Sequence, residues 1–414
     1  MNDRPVNLIV SDDLERSRLS VFFRLLLVIP HLIWLSLWGV AAWVVVIVNW
    51  FATLFAGKSP ASLHNFLAAY IRYAIHVAAF ALLAAEPFPD FLGKPGYPVD
   101  VGIAPPQPQN RWKVGFRLVL AIPALLIAGA LTAGTARTYG AASAYGLAGV
   151  AATFGWFAAL ARARMPRGLR DAVAYALSYS AQLDAYLFLL TDRYPDSDPL
   201  TALADVPSRP QDPIRLEVSD DLVRSRLTVF FRLLLAIPPL IWLTLWAIVA
   251  YVVAIANWFA TLFGGRSPET LHGFLAAYVR YQNHVYAYLF LIGNPFPGFT
   301  GKPGSYPVEP LIEGPREQNR WKVFFRLFLA FPALLLSSTY SGLLGIVALL
   351  GWFSSLANGR MPRGLRNAGA LALRYGAQAN GYLLLLTDRY PYSGPTRMKP
   401  PVLEESQSPL TAPA

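Results

Sequence analysis

The residues best suited to binding chemistry lie on one line of a segment that the sequence predicts to be a helix. Asn65, Arg72 and His76 fall within about 40° of one another around a helix that advances roughly 100° per residue. Related segments further along the chain carry, at equivalent positions, Arg280 and His284 in one case and Asn367, Arg374 and Gln378 in another. We therefore treat all of these as candidate lipid- or anion-binding residues.

Three roles are open for this polar line. In the first, the helix lies at a membrane interface and its arginines contact lipid headgroups. In the second, the helix packs into a bundle, where the arginines converge on an anion such as a lipid phosphate. In the third, the arginines are buried and bond only to backbone carbonyl groups. The residue spacing fits all three.

A second set of basic residues precedes the prolines of four apolar stretches by about two turns of helix. Long basic side chains at such positions typically lay their apolar stems along hydrocarbon and extend their charged ends to the interface. We expect this interfacial placement for Arg24, Arg117, Arg232 and Arg326. Asn49 and Asn257, each beside a tryptophan, are expected to form hydrogen bonds between helices.

Metal binding and catalysis find little support in the sequence. His64 and His76 are twelve residues apart, about 120° around a helix, and no acidic residue completes either histidine set at ligand spacing, so no metal site is predicted. The chain has no cysteine, no nucleophile with an evident base and no glycine-rich phosphate loop. We therefore expect no catalytic residues and no cofactor, and we predict a non-enzymatic protein.

The composition is typical of a membrane protein. The 414 residues are 55% hydrophobic and 14% charged, whereas soluble domains average roughly 25% charged, and the mean hydropathy is +0.40. The net charge of +11 comes from lysines and arginines at the ends of apolar stretches, as the positive-inside rule produces, and not from a continuous basic face for nucleic acid. This pattern predicts a multi-pass plasma-membrane protein with both termini in the cytoplasm.

The chain is built from repeats. SDDLERSRLSVFFRLLLVIP at Ser11–Pro30 returns as SDDLVRSRLTVFFRLLLAIP at Ser219–Pro238, and NRWKVGFRLVLAIPAL at Asn110–Leu125 pairs with NRWKVFFRLFLAFPAL at Asn319–Leu334. Such repeats fix the architecture. The predicted organisation is copy one at 1–104, copy two at 105–195, a polar linker at 196–213, copy three at 214–313, copy four at 314–392 and a disordered tail at 393–414.

Each copy is expected to contain a helical hairpin. Residues 19–56 are almost wholly apolar, and one helix of that length would measure roughly 57 Å, nearly twice a hydrocarbon core of about 30 Å. Copies two and four carry an insertion or a polar run near the middle of this stretch, as loop tips do. We therefore expect eight short spans, with hairpin tips near residues 36–39, 133–145, 244–247 and 337–342; the apolar tips of copies one and three also fit re-entrant hairpins.

Two smaller elements complete each copy. A third helix, for example residues 61–85, follows a helix stop and start such as Gly57 and Pro60. Alternating stretches at Pro5–Val10, Tyr97–Ile103, Pro213–Val218 and Tyr306–Ile312 predict short strands that form a small sheet on the cytoplasmic side. The predicted fold class is an all-α polytopic membrane protein of repeated helical hairpins and amphipathic helices, with short juxtamembrane β-strands.

This unit resembles a known family. Its basic start, the RLLLVIPH run at Arg24–His31, the apolar run ending in Trp-Phe and the closing Tyr-Pro are similar to the bacterial domain-of-unknown-function family numbered 4389, here in four tandem copies. Only copy one has the IPH form, because Ala124, Pro239 and Ala333 replace His31 in the other copies. The resemblance implies a bacterial membrane protein and brings no established activity, so no functional residue is carried over.

Together these patterns predict a membrane scaffold that binds anionic phospholipids, or a protein partner, on a basic cytoplasmic face. The alternative is a transporter or channel for a small anion or lipid, suggested by repeats that all start on the same side. Against this alternative, the apolar stretches contain almost no ionisable residues. An integral-membrane enzyme ranks third, and no nucleic-acid partner is expected.

Overall fold

Long continuous helices form in copies one, three and four of the computed structural model, which describes residues 4–132 and 146–397. The first helix of each copy is a single turn: α1 (Arg18–Phe22), α4 (Arg111–Gly115), α9 (Arg226–Phe230) and α13 (Arg320–Phe324). The apolar stretches then form α2 (Arg24–Ala56), α10 (Arg232–Leu235) running into α11 (Ile237–Gly264), and α14 (Arg326–Asn358). In copy two the same stretch is divided into α5 (Arg117–Thr132) and α6 (Leu147–Arg162).

The hairpin prediction is therefore wrong for copies one, three and four. Residues 36–39, 244–247 and 337–342 lie inside helices, and the tip predicted at 133–145 lies outside the described residues. The polar run 337–342 stays helical because its hydroxyl groups bond to carbonyl groups of the preceding turn, as Ser338 Oγ does to Leu335 O at 2.7 Å and Ser341 Oγ to Ser337 O at 2.9 Å. The expected short spans are replaced in these copies by helices of about 50 Å.

Glycine ends the long helices, as the sequence predicts. Gly57, Gly265 and Gly359 have φ angles of 72°, 77° and 69°, in the left-handed region that glycine enters without steric cost. In copy two Ala163 takes this place. A proline cap then starts the third helix of each copy: α3 (Ala61–Ala81), α7 (Arg167–Leu187), α12 (Glu269–Leu289) and α15 (Arg363–Leu383).

The predicted strands are present, but they form two sheets rather than one. β1 (Val6–Val10) pairs antiparallel with β2 (Val99–Ile103), with Leu8 opposite Val101. β3 (Ile214–Val218) pairs antiparallel with β4 (Val308–Ile312), with Leu216 opposite Pro310. Each sheet covers the third helices of its own half of the chain, β1 on α7 and β2 on α3, β3 on α15 and β4 on α12, which keeps the two sheets apart.

The elements stack in three layers. The long helices form the first layer, with α2 on α3, α5 and α6 on α7, α11 on α12 and α14 on α15. The third helices form the middle layer, where α3 contacts α7 and α12 contacts α15. The two sheets form the third layer. The middle layer is therefore covered on both sides, and buried side chains such as Leu67, Ile71 and Ile75 of α3 belong to the main hydrophobic core.

Neighbouring copies run in opposite directions within the first layer. Arg18, at the start of copy one, donates to Ala161 O at the end of α6 at 3.1 Å. At the other end of α2, Gly57 O accepts from the backbone of Gln109, just before α4. The prediction that a hairpin brings both basic ends of a copy together is wrong for copies one, three and four, because a helix of about 50 Å separates these ends. The expectation that all repeats start on the same side is also wrong, because the start of copy two lies beside the end of α2.

The linker and the beginning of the tail are packed against helices. The linker contains α8 (Pro199–Ala202), and its Asp198 contacts Asn367 of α15. Ser393 and Thr396 are buried, and the Tyr340 hydroxyl donates to Ser393 O. The prediction of disorder is thus wrong for residues 393–397, while residues 398–414 lie outside the described part of the chain.

Candidate functional site

The predicted polar line of copy three forms a buried ion-pair cluster with the sheet. Glu309 of β4 lies 2.9 Å from Arg280 Nε and 2.8 Å from His284 Nε2. Arg280 also donates to Gly301 O at 3.1 Å, and the His284 ring stacks on Tyr306 with the ring centroids 4.9 Å apart. One carboxylate thus ties two side chains of α12 to the third layer.

The equivalent cluster in copy one uses Asp100 of β2. Its Oδ1 atom lies 2.9 Å from His76 Nε2 and 3.4 Å from Arg72 Nε, and the N–H groups of Gly96 and Val101 donate to the same carboxylate. Burial alone would raise the pKa of Asp100, but the hydrogen bonds from His76 and the two amides outweigh it and hold this pKa below its usual range. The charged carboxylate is therefore the stable form.

In copy four, Arg374 and Gln378 of this line bond to neutral oxygen atoms instead of a strand carboxylate. Arg374 donates to Tyr392 O at 3.1 Å, to Gly394 O at 2.6 Å and to Thr396 Oγ1 at 2.7 Å. Gln378 donates to Ile214 O at 2.9 Å, which ties α15 to β3. The charge of Arg374 is thus solvated by oxygen atoms of the segment after α15, which the sequence assigned to the end of copy four and the tail.

Asn367 lies where the two halves of the chain exchange contacts. It donates to Asp198 at 2.8 Å. Asp171 of α7, the residue of copy two that is equivalent to Asn367, accepts a hydrogen bond from the Tyr392 hydroxyl. Burial raises the pKa of Asp198, although hydrogen bonds from the Leu200 N–H and Asn367 oppose this. Asn65, by contrast, is exposed and joins neither cluster.

These positions bear on the three roles proposed for the polar line. In the described part of the chain no large hydrophobic side chain of α3, α7, α12 or α15 is exposed, so these helices present no apolar face at the surface. Their arginines bond to carboxylate, hydroxyl and carbonyl oxygens inside the chain. Lipid or anion binding by this line stays a prediction, and its charged groups already have internal partners.

Sequence reasoning missed the acidic members of these clusters. Asp100 is 24 residues from His76, and Glu309 is 25 residues from His284, and each lies on a strand rather than on the helix. The signal that points to them is the repeat itself: YPVD at Tyr97–Asp100 and YPVE at Tyr306–Glu309 place an acid at the same position of two copies.

The second predicted set of arginines holds the carboxyl-terminal ends of the third helices. The Arg24 guanidinium lies 4.1 Å from the centroid of the Phe80 ring and donates to Phe80 O at 3.0 Å and to Ala85 O at 3.1 Å. Glu86 completes its shell at 2.5 Å. A cation is favourable here because the last carbonyl groups of a helix lack intrahelical partners.

The same arrangement occurs in all four copies. The equivalent guanidinium groups lie over Tyr186, Tyr288 and Tyr382 at 4.1, 4.3 and 4.0 Å, and they belong to Arg117, Arg232 and Arg326. All four arginines are only 1–2% exposed. The interfacial placement predicted for them is therefore wrong, because their charged ends turn inward to the helix ends and aromatic rings instead of outward.

Both predicted asparagines join helices. Asn49 Nδ2 donates to Phe188 O at the end of α7 at 2.9 Å, and Asn257 Nδ2 donates to Leu384 O at the end of α15 at 3.1 Å. Their side-chain oxygens accept from Ser59 and Ser267. These residues connect the first layer to the middle layer, as the sequence predicts.

A cleft of about 1130 Å³ lies between copies two and four. Apolar side chains of α6 and of the first turns of α14 form its walls, among them Phe154, Phe157, Phe328 and Leu329. Four basic residues, Arg162, Arg316, Lys322 and Arg389, line it together with Glu317 and Asp388. Three of the four form ion pairs, with Glu313, Asp388 and Asp212 respectively. Arg162 is exposed and has no ion-pair partner among the described residues.

Tyr375 of α15 is among the residues that line this cleft. Its side chain is fully buried, and its hydroxyl has no hydrogen-bond partner in the described part of the chain. Buried tyrosine hydroxyls normally find a partner. The cleft therefore combines apolar walls and a basic rim, with a buried, unpartnered hydroxyl behind its wall. Apolar walls with a few charged groups suit an anionic amphiphile.

The outer side of the first layer is apolar. The helices Arg24–Ala56, Arg232–Gly264 and Arg326–Asn358 are long and apolar enough to cross a membrane, judged by length and composition. Leu25 of α2 and Phe328 of α14 are 79% and 80% exposed on this side. Such a surface is far larger than the apolar patches that soluble monomers expose.

The fold and the site define a class of repeat protein in which an apolar helical layer covers a second helical layer that contains the hydrophobic core and buried ion pairs. The model of the domain of unknown function DUF4389 matches residues 18–93, 226–300 and 320–393, more than half of the chain, and the chain belongs to this family. Copy two is not among the matched segments, although its elements repeat those of the other copies. Comparison with curated proteins and with solved structures gave no match.

Proposed function

We propose that this protein is a non-enzymatic component of the bacterial plasma membrane that binds anionic phospholipid. The observation that carries the proposal is the cleft between copies two and four, with its aromatic walls and basic rim. Such walls suit an acyl chain, and guanidinium and ammonium groups suit a phosphate. Basic residues at the helix ends add an attraction of about 1 kcal/mol per charge to an anionic membrane surface.

Two further proposals have less support. A protein partner on the basic face would use the same arginines as the lipid, and native mass spectrometry separates the two. A transporter or channel for a small anion would need ionisable groups along a pathway, whereas Arg280 and Arg374 of the middle layer bond to partners inside the chain.

Native mass spectrometry of the protein, extracted gently from its own membrane, tests the lipid proposal. We expect a retained anionic phospholipid in the natural protein and its loss, by about tenfold or more, in the double variant Arg162→Gln, Arg316→Gln. The matched control is Arg111→Gln, Arg360→Gln, which removes the same charge from exposed helix ends outside the cleft.

Each outcome decides between the alternatives. Loss of lipid in the cleft variant alone supports a specific site. Equal loss in both double variants would mean that overall charge attracts the lipid, and the cleft would be abandoned. A stoichiometric protein companion without any retained lipid would replace the lipid proposal with the partner proposal.

A further inference from the structure

We infer that the protein lies on one leaflet of the membrane, with its long helices parallel to the membrane plane, instead of crossing it. The inference rests on the membrane residence proposed above but not on the cleft. The occupant of the apolar face is thus a lipid surface. Three observations carry the inference: the one-sidedness of the apolar surface, the position of the sheets, and the position of two lysines.

The exposed apolar surface is one-sided along the whole length of the long helices. On α2 it runs from Leu25 near the start through Val40 at the middle to Phe55 at the end, while Arg24, His31 and Asn49 are buried on the other face. On the described strands, Ile9 is the only large hydrophobic side chain that is exposed. The outer side of the long helices is therefore broadly apolar, whereas the strands, two layers away, expose little apolar surface.

The sheets lie beside the middle of the long helices. Strand β2 follows α3 along most of its length, because His64 contacts Ala104 O at 3.0 Å, Arg72 donates to Val101 O at 3.2 Å, and His76 contacts Asp100 at 2.9 Å. Trp38, near the middle of α2, stacks on Tyr73 of the same helix α3, with the ring centroids 5.5 Å apart. The sheet is therefore level with the centre of α2.

Two exposed lysines share this level. Gly93 packs against the backbone of α3, where an added Cβ would lie 2.7 Å from Ala69 O, and the next residue, Lys94, is exposed. Copy three repeats the arrangement, with Gly301 against Ala277 and Lys302 exposed beside it. Both loops lie at the height of the helix middles.

A crossing orientation would place these groups at hydrocarbon depth. If α2 stood across the membrane, the open edges of the two-stranded sheets and the two lysines would face lipid. Open sheet edges do not occur in the hydrocarbon region, because their backbone groups have no partner there. Lysines at that depth are likewise costly.

An orientation parallel to the membrane removes this conflict. The apolar faces of α2, α11 and α14 then enter one leaflet, and the sheets lie two helix layers away, about 20 Å at roughly 10 Å per layer. Both ends of every long helix reach the headgroups, where exposed Trp112 and Trp321, each between basic residues, act as interfacial anchors. The opposite directions of neighbouring copies are then compatible with a single membrane side.

Cysteine labelling tests the orientation, because the chain has no natural cysteine. Single substitutions Arg18→Cys and Lys58→Cys mark the two ends of α2, Lys94→Cys marks the sheet side, and Val40→Cys marks the apolar face. Arg226→Cys, Lys302→Cys and Arg266→Cys are the matched positions of copy three and replace any variant that does not fold. Each is exposed to a membrane-impermeant maleimide in spheroplasts and in inside-out vesicles.

We expect the helix-end and lysine positions to be labelled from the same side, to within about twofold, and Val40→Cys to be protected at least tenfold. Labelling of Arg18→Cys and Lys58→Cys from opposite sides, or protection of Lys94→Cys, would overturn the inference while leaving membrane residence intact. Recovery of the protein in the soluble fraction would instead overturn the proposed function itself, so the two failures are distinguishable.

Discussion

His284 Nε2 lies 2.8 Å from Glu309 Oε2, and both side chains are at least nine-tenths buried. The same carboxylate is the counter-ion of Arg280, whose side chain is 9% exposed. In copy one Asp100 has this role, but Arg72 is 21% exposed and lies farther from its carboxylate. The two copies thus offer the same cluster at two degrees of burial.

Neutralising Glu309 should therefore cost more stability than neutralising Asp100. Removing one partner of a buried ion pair leaves the other charge uncompensated, typically at about 3–5 kcal/mol. We expect a loss of this size for Glu309→Gln and a clearly smaller one for Asp100→Asn, because water reaches Arg72. Chemical unfolding of both variants in detergent measures the difference. An equal or larger loss for Asp100→Asn would show that burial of the arginine does not determine the cost.

Two equivalent histidines should make the fold sensitive to mild acid. Burial lowers the pKa of His64 and His272 below the usual 6.5, although hydrogen bonds to the carbonyl groups of Ala104 and Leu386 oppose the shift. The unfolded chain then binds these protons more readily than the folded one, so their contribution is complete above about pH 6.5 and is lost as the pH falls toward their folded-state pKa values.

The double variant His64→Gln, His272→Gln isolates this contribution. Glutamine keeps an N–H donor for each carbonyl group but does not titrate. We expect the drop in Tm between pH 7.5 and pH 5 to be smaller in the variant than in the natural protein. If both proteins lost the same Tm over this interval, other groups would be responsible for the acid sensitivity.

One substitution should stabilise the protein. Arg24 has the carboxylate of Glu86 at 2.5 Å, whereas Arg232 has the amide oxygen of Asn294 at 3.1 Å in the equivalent place. A charged acceptor contributes about 1 kcal/mol more than a neutral one. We expect Asn294→Asp to raise the free energy of unfolding by about this amount and Asn294→Leu to lower it. A decrease in both variants, measured by chemical unfolding, would contradict the argument.

The sequence predicted the elements whose signals are local. Gly57 with Pro60 correctly marked the end of α2 and the start of α3, because a left-handed glycine and an N-terminal proline act within a few residues. The alternating stretches likewise became strands. The repeat pattern alone identified equivalent residues such as Arg24 and Arg232, which have the same role at the ends of two third helices.

The sequence misled where a non-local contact decides the outcome. The run 337–342 looked like a turn, but Tyr340 bonds to Ser393 and the neighbouring hydroxyl groups bond within the helix. The assumption that each helix must fit a bilayer thickness of about 30 Å then imposed hairpins on every copy. The acids Asp100 and Glu309 were missed because strand pairing, and not helix periodicity, brings them to the polar line.

The hydroxyl of Tyr375 provides a sharp test of the lipid-binding cleft. Tyr375 is among the residues that line the cleft, and its buried hydroxyl has no partner among the described residues. The equivalent residue of copy two, Tyr179, is also buried with an unpartnered hydroxyl, but it is not among the residues that line the cleft. Because an unsatisfied buried hydroxyl costs about 1–3 kcal/mol, we expect both Tyr375→Phe and Tyr179→Phe to raise the stability of the delipidated protein.

Their effects on lipid should differ. If Tyr375 donates to the phosphate of a bound lipid, Tyr375→Phe should reduce retention of anionic phospholipid by about tenfold, which corresponds to roughly 1.4 kcal/mol, while Tyr179→Phe leaves retention unchanged. Native mass spectrometry and unfolding of the same samples give both quantities. Increased stability with undiminished lipid in Tyr375→Phe would mean that this hydroxyl faces an empty space, and the rim arginines alone would have to account for any specificity.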